Sequence, residues 1–470
     1  MATVPTPFAD IAWPDAQSYW VRNARVPLAL LTGSHGLTAE DRDNGSAHID
    51  MLIERGAIAR IVPAGKAPVA ADESVELHGR QVWPMLIDVH THLDRAHTVV
   101  RSPNVNGTFT DAVAATQADR LRWTHEDLLA RMSFGLRSAY AHGVSAIRTH
   151  LDSVPEQAER SWRAFADMRA EWQSRVALQG VSLVPIDLFR GEWGDKLAAL
   201  VAESGGILGA VTRAASAGAH GAPLEDLDAL LDRLFTLAAR HDLDIDLHVD
   251  ESGDPRAAAL PYVARAAIRN GYQGRVTCGH CCSLAVQPEA DADRTLDLVA
   301  EAKIAIVTLP TVNLYLQDRG SGRTPRWRGV TLVHEMRRRG IVVAAAGDNC
   351  RDCFYAYGDH DMVDTFRQAV RILHLDHPLA EAPVLVGPAP ATIARLSDHG
   401  RLQVGAPARL LVFNARTLNE VVSRPHADRI VIDGGRRSSA RAPDYSEMWD
   451  DAAAPASPRS ATHADEPAAL

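Results

Sequence analysis

The residues able to do chemistry come in a short series along the chain. The first is the run Ile87-Asp-Val-His90-Thr-His92-Leu-Asp94. On a strand, residues i and i+2 face the same side, so His90 and His92 present two imidazoles together. Imidazole ligates zinc and iron, although an isolated His-x-His is common. In His248-Val-Asp-Glu251 a strand-like run carries a third histidine. A carboxylate follows three residues later, where it could serve as a general acid or base beside an activated water without being a ligand. Val276-Thr-Cys278-Gly-His280 again ends on a histidine, and the apolar run 341–346 leads through Gly347 into Asp348. A buried carboxylate without a partner is costly, so Asp348 calls for a cation. Taken singly, each of these signals also has a plain packing or capping reading.

Holding them requires a scaffold that the rest of the chain supplies. Between about 85 and 399, helix-like and strand-like segments alternate. Leu227, Leu230, Leu231, Leu234 and Leu237 recur at helical spacing, and the strand-like run from Asp244 follows. Residues 330–339 read as a helix stopped by Gly340, with the apolar strand 341–346 behind it. Such alternation over some 300 residues implies a parallel α/β sheet of a length that suits a TIM-type (β/α)8 barrel; periodicity alone leaves a doubly wound sheet open. Short β-like runs at 19–23, 48–54 and 58–62 return at 408–413 and 429–435. Residues 1–84 and 400–440 are therefore expected to form one small β-sandwich from both chain ends around a barrel at 85–399. From 441 to 470 the Ala-, Ser-, Pro- and Asp-rich composition predicts disorder.

In order and in wording, the series resembles the amidohydrolase superfamily, and within it the cytosine-deaminase-like branch of mononuclear deaminases. The matching stretches are HTHLD at 90–94, RTHLD at 148–152, HVDE at 248–251, VTCGH at 276–280, VNLYLQDR at 312–319, RGVTLVHEM at 328–336 and GD at 347–348. The resemblance implies one divalent metal ion, Zn or Fe, on His90, His92, His248 and Asp348. It implies proton transfer by Glu251, and assistance to the attacking water by His280 and Asp348. Two-metal members of the superfamily use a carboxylated lysine on the fourth strand. None of the three lysines, Lys66, Lys196 and Lys303, falls on 178–185, taken as that strand, which favours a single metal. Cytosine deaminases read their substrate with a glutamine on the same strand. Here 181–187 offers none, Gln179 lies too early, and Asn349 stands where those enzymes carry a second aspartate. Cytosine is thereby disfavoured, and the expected substrate is another aminated heterocycle of isoguanine, pterin or aminotriazine type. Asn313, Gln317, Asn349 and Asp187 are candidate substrate contacts, and 99–109 is a candidate lid. His150 and Asp152 read as supporting residues. The alternatives are hydrolysis of a cyclic amide or of an N-alkylaminotriazine at the same site, or a barrel that only binds ligand.

The bulk properties agree with an enzyme of small molecules. Of 470 residues, 46% are hydrophobic and 23% charged, as in ordinary globular proteins. A net charge of -10 argues against a nucleic-acid partner. No apolar run is long enough for a membrane span and no secretory leader is legible, so a cytoplasmic protein is expected, with a homo-oligomer as its expected assembly. Cys278, Cys281, Cys282, Cys350 and Cys353 include two Cys-x-x-Cys pairs. They lie too far apart for a zinc ribbon and interleave with His280 and Asp348, so free thiols are expected.

Overall fold

The computed structural model describes residues 7–33, 36–39, 45–68, 73–424 and 428–448. In chain order, the first strands are β1 (Ser18–Pro27), β2 (Ser46–Glu54), β3 (Ala57–Pro63), β4 (Ser74–Glu76) and β5 (Val82–Pro84). Next come β6 (Leu86–Thr91), β7 (Val144–Asp152), β8 (Ala177–Leu183), β9 (Leu208–Val211) and β10 (Ile245–Val249). The last are β11 (Val276–His280), β12 (Ala305–Thr308), β13 (Val343–Ala345), β14 (Leu410–Phe413), β15 (Arg429–Asp433) and β16 (Arg436–Arg437).

The two chain ends build four-stranded sheets in the orders β3-β2-β1-β4 and β16-β15-β14-β5. Their apolar residues meet in one cluster, where Val21, Ile49 and Met51 from the first end pack with Leu410, Val412 and Ile432 from the second. Burial of both ends in a common core is why β5 leaves its sequence neighbours to pair antiparallel with β14, Leu410 facing Pro84 and Val412 facing Val82.

The middle of the chain is α/β with parallel strands. One sheet runs β6-β7-β8 and another β13-β12-β11-β10-β9, every pair parallel. Parallel bridges continue between them, Val181 to Ile207 and Pro185 to Val211 on one side, and Thr91 to Asp348 on the other. Helices return the chain between successive strands, and Leu227–Arg240 shows why they lie where they do. It buries Leu227, Leu230, Leu231, Leu234 and Leu237 on one face and keeps Asp228 in its first turn and Arg240 in its last, as the helix dipole favours.

The fourth parallel strand departs from the sequence expectation. Residues 177–183 form the third strand of the series, and the fourth is the short β9. The segment LGAV carries little β signal, because Gly209 is there for space. A Cβ on it would lie 2.3 Å from the Ser182 carbonyl oxygen and 2.6 Å from that of Asp246, the backbones on either side. The strand still holds no lysine. Gln179 lies low in the strand bundle, where Arg148 donates to it at 3.0 Å and pairs with Asp246 at 2.8 Å. In the C-terminal segment 441–470 the described residues continue through 441–448 and include a short 3-10 turn at Tyr445–Met448. Tyr445 stacks on Phe134 at 5.9 Å and Glu447 pairs with Arg137 at 2.5 Å. The rest of that segment lies outside the described residues.

A side chain at 209 can be relieved only by moving backbone, so Gly209→Ala is expected to destabilise by ~3 kcal/mol or more. Gly191→Ala, with nothing within 4 Å of the new Cβ, should stay within ~0.5 kcal/mol of the parent. Denaturant midpoints of the two variants check this.

Candidate active site

The chemistry-bearing side chains come from the C-terminal ends of the parallel strands, where loops rather than sheet surround them. His90 lies at the end of β6 and His92 just beyond it, His248 lies on β10, His280 closes β11, and Asp348 follows β13 by three residues. The ends of β6 and β13 are clamped together: Asp348 N–H donates to the His90 carbonyl at 2.7 Å, and Thr91 Oγ1 donates to the Asp348 carbonyl at 2.7 Å. Gly279 lets the His90 ring come close, since a Cβ there would sit 2.7 Å from His90 Cε1.

Four donor atoms converge. His90 Nε2 lies 3.2 Å from His248 Nε2, which lies 3.4 Å from His92 Nε2. Asp348 Oδ1 is 3.2 Å from His92 Nε2 and 3.7 Å from His90 Nε2. Tetrahedral ligands about 2.0–2.2 Å from one ion stand about 3.3–3.6 Å apart, so the cluster has the dimensions of a single-ion site. Its chemistry agrees. Burial pushes the His90 and His248 imidazoles well below the ordinary histidine value and His92 to about 3, so all three are neutral and keep a lone pair. Both Asp348 carboxylate oxygens are buried without a hydrogen-bond donor. These residues fit a divalent metal ion.

Beside the cluster, Asn313 Nδ2 donates to Glu251 Oε1 at 3.2 Å and lies 3.0 Å from His280 Nδ1. Glu251 Oε1 and His280 Nδ1 are themselves 3.3 Å apart. Burial, and after it the Asp348 charge, pushes Glu251 well above the usual carboxylate range; burial takes His280 down to about 4. A carboxyl whose burial favours its protonated form thus stands next to an imidazole whose burial favours its neutral form.

A cavity of about 290 Å³ opens over these groups, lined by His92, His248, Glu251, His280, Asp348 and Asn349 on its floor. The candidate contacts separate here. Asn349 lines the cavity and donates to Asp352 at 2.7 Å. Asn313 acts one step back, on Glu251 and His280. Gln317 is buried at the end of the helix Pro310–Leu316, against Gly329, and is not among the lining residues. Asp187 is turned away to accept the Ala215 backbone N–H at 2.9 Å, which fixes the loop after β9. From the candidate lid only its last residue, Phe109, reaches the cavity wall.

Other wall residues carry no motif. Arg95 follows the histidine pair directly and forms a double hydrogen bond with Asp152, at 2.5 and 3.1 Å; adjacency to HTHLD could have flagged it. Phe354 packs edge-on to Phe109 at 5.5 Å. Arg213, two residues past β9, donates only to the carbonyls of Ala214 and Ala217, and among the described residues no carboxylate pairs with it. It was missed with its strand. All five cysteines are buried and free, burial pushing the thiols up.

Comparison with known proteins places this geometry. Residues 124–438 match the model of the amidohydrolase family. The pterin deaminase of Rhizobium rhizogenes strain K84 is 46% identical over 437 residues, spanning 93% of this chain and 97% of that protein. Among solved structures, N-isopropylammelide isopropylaminohydrolase from Burkholderia multivorans superposes with a TM-score of 0.70 at 26% identity, over 90% of this chain and 98% of the other. The 5-methylcytosine deaminase of Klebsiella pneumoniae, liganded with phosphonocytosine, shares the fold with a TM-score of 0.75 at 24% identity, over the same 90% and 98%. With its histidines and aspartate gathered at the strand ends and this family's model matching two-thirds of its length, the chain belongs to the amidohydrolase family and is a hydrolase of carbon–nitrogen bonds.

Proposed function

We propose that the chain hydrolytically deaminates a small aminated nitrogen heterocycle of the pterin type, at a single-metal site on His90, His92, His248 and Asp348. The observation that carries the reaction type is the pair Glu251 and His280, 3.3 Å apart and both reached by Asn313 beside that cluster, with burial favouring the neutral form of each. The substrate class rests on the pterin deaminase, similar over nearly its whole length. A bound Zn or Fe ion supplies Lewis acidity and a water-derived nucleophile at neutral pH.

The side chains divide the remaining work. Glu251 delivers its proton to the ring nitrogen next to the amine-bearing carbon, which makes that carbon electrophilic. Neutral His280 receives a hydrogen bond from the attacking water and helps orient it. Glu251, now a carboxylate, takes up one proton of the water and passes it to the departing amine, and it recovers a proton from the remaining hydroxyl as the ring carbonyl forms. One C–O bond forms, one C–N bond breaks, and ammonia leaves. Asn313 holds Glu251 and His280 in register. Arg213, with hydrogen-bonding capacity to spare, faces a carbonyl oxygen of the ring. Phe109 and Phe354 supply flat apolar wall.

The eight parallel strands form one closed (β/α)8 barrel at 85–399, supported by the bridges Val181–Ile207, Pro185–Val211 and Thr91–Asp348. The shared apolar cluster supports a β-sandwich of 1–84 and 400–440. No helix among the described residues is long and apolar enough to cross a membrane; a cytoplasmic homo-oligomer without nucleic-acid partners is part of the same proposal.

Ammonia release from pterins, isoguanine, cytosine and aminotriazines tests the substrate. A pterin should be the fastest; release of an alkylamine from an N-alkylaminotriazine in its place would move the assignment to that reaction. Glu251→Gln should lower kcat about 10²–10⁴-fold while leaving the bound metal in place, read by kinetics and elemental analysis. Arg213→Met should raise KM by about tenfold or more with a smaller effect on kcat; an unchanged KM would remove Arg213 from substrate recognition.

A further inference from the structure

A second group of buried donors lies behind Asp348 and has no part in the chemistry above. His97 follows β6 by six residues, Cys350 comes two residues after Asp348, and His360 precedes the helix Met362–Leu373. They are 6%, 4% and 7% exposed. One donor atom from each lies within 4.8 Å of the other two.

The hydrogen-bond state of these groups is what needs an explanation. Both ring nitrogens of His97 are buried without a partner, and so is Nε2 of His360. Leaving a buried polar nitrogen unsatisfied costs about 1–3 kcal/mol, so three at one spot is a large penalty for packing alone. The rings do not compensate each other by stacking: their centroids are 5.3 Å apart at an interplanar angle of 58°. Both histidines also hold positive φ, 63° for His97 and 52° for His360, which fixes the turn of each backbone toward the cluster.

Space has been left around the donors. A Cβ at Gly135 would lie 2.9 Å from His360 Nε2, and one at Gly358 would lie 3.3 Å from Cys350 Sγ. Cys350 and His360 border a cavity of about 220 Å³ that also reaches Asp348 and Asp359, through which an ion and a solvent molecule could enter. Burial keeps both imidazoles neutral, with His360 brought down to about 4, which is the form that ligates.

We propose that His97, Cys350 and His360 form a second metal site, for a thiophilic divalent ion of the zinc type, separate from the catalytic cluster and sharing no ligand with it. Two imidazoles and a thiolate are a donor set that selects such ions over magnesium or calcium. On binding, the thiol loses its proton to solvent and the sulfur–metal bond forms, while a fourth position is open to solvent from the cavity. The site joins two loops that already touch, through His97 N–H to the Cys350 carbonyl at 3.1 Å and Val99 N–H to the Arg351 carbonyl at 2.9 Å. Those loops carry Arg95 and Asp348, so the ion would act as a staple that positions the catalytic ends of β6 and β13. Of the two Cys-x-x-Cys pairs, Cys350 thus finds its partners among histidines, while Cys353 is occupied by Thr116 Oγ1 at 2.9 Å.

Cobalt titration of the metal-free full chain tests it, because the catalytic cluster contains no sulfur. The expected result is two Co²⁺ per chain by elemental analysis, with a near-ultraviolet thiolate-to-cobalt charge-transfer band. Cys350→Ser and, separately, His97→Gln should each lose the band and one equivalent, and with them the rise in Tm that the second equivalent produces. His92→Ala should lose the other equivalent and keep the band. Should Cys350→Ser fail to fold, His97→Gln and the parent titration still decide. One equivalent in the parent without a thiolate band, or a band that survives both Cys350→Ser and His97→Gln, would overturn the proposal.

Discussion

Everything at the mouth of this molecule depends on a carboxylate buried where no hydrogen bond can reach it. Asp348 has both oxygens out of water and without a donor, within 3.7 Å of two imidazole nitrogens that are themselves neutral. Burial of such a carboxylate is costly and pushes Asp348 up to about 6. A divalent cation would resolve the conflict, and His90, His92 and His248 converge on the same point with donor atoms able to hold one. Because these donors come from strands far apart in sequence, holding them in place is a task for the whole parallel sheet.

The same burial sorts the proton states. Removal from water raises Glu251 and lowers His280, so two groups 3.3 Å apart are driven to the neutral form from opposite directions. A general acid that keeps its proton near neutral pH needs this environment. Asn313 adds direction, since its amide reaches both groups and limits their rotation.

Close approach of backbones is the second requirement, and glycine meets it at the positions that matter. Gly279 admits the His90 ring beside β11, Gly347 has Asp88 where a Cβ would stand, and Gly209 lets β9 pass between its neighbours. Strand propensity would argue against glycine at each of these positions. Steric room decides in its favour, which is why β9 leaves little strand pattern in the sequence and why Arg213, just beyond it, stands in no motif. The helix Leu227–Arg240 is legible for the opposite reason: a long amphipathic period survives in the sequence whatever surrounds it.

The sequence by itself determined the donor types, their order and the family they belong to. A His-x-His on one strand face, single histidines on later strands and an aspartate behind an apolar strand are local patterns tied to local geometry. It also determined that both chain ends are β-rich, because alternation is local too. Only the tertiary structure decided which strand is the fourth, that Asp187 serves the backbone of Ala215, and that Gln317 lies away from the cavity. It alone brought Asn313 onto Glu251, and His97 and His360 to Cys350. These outcomes hinge on contacts between residues tens to hundreds of positions apart, and nothing in a local window records which distant backbone will arrive there. The physical reason is that spacing along the chain sets which way a side chain faces, while burial and the absence of water, which set its charge and partners, belong to the assembled fold.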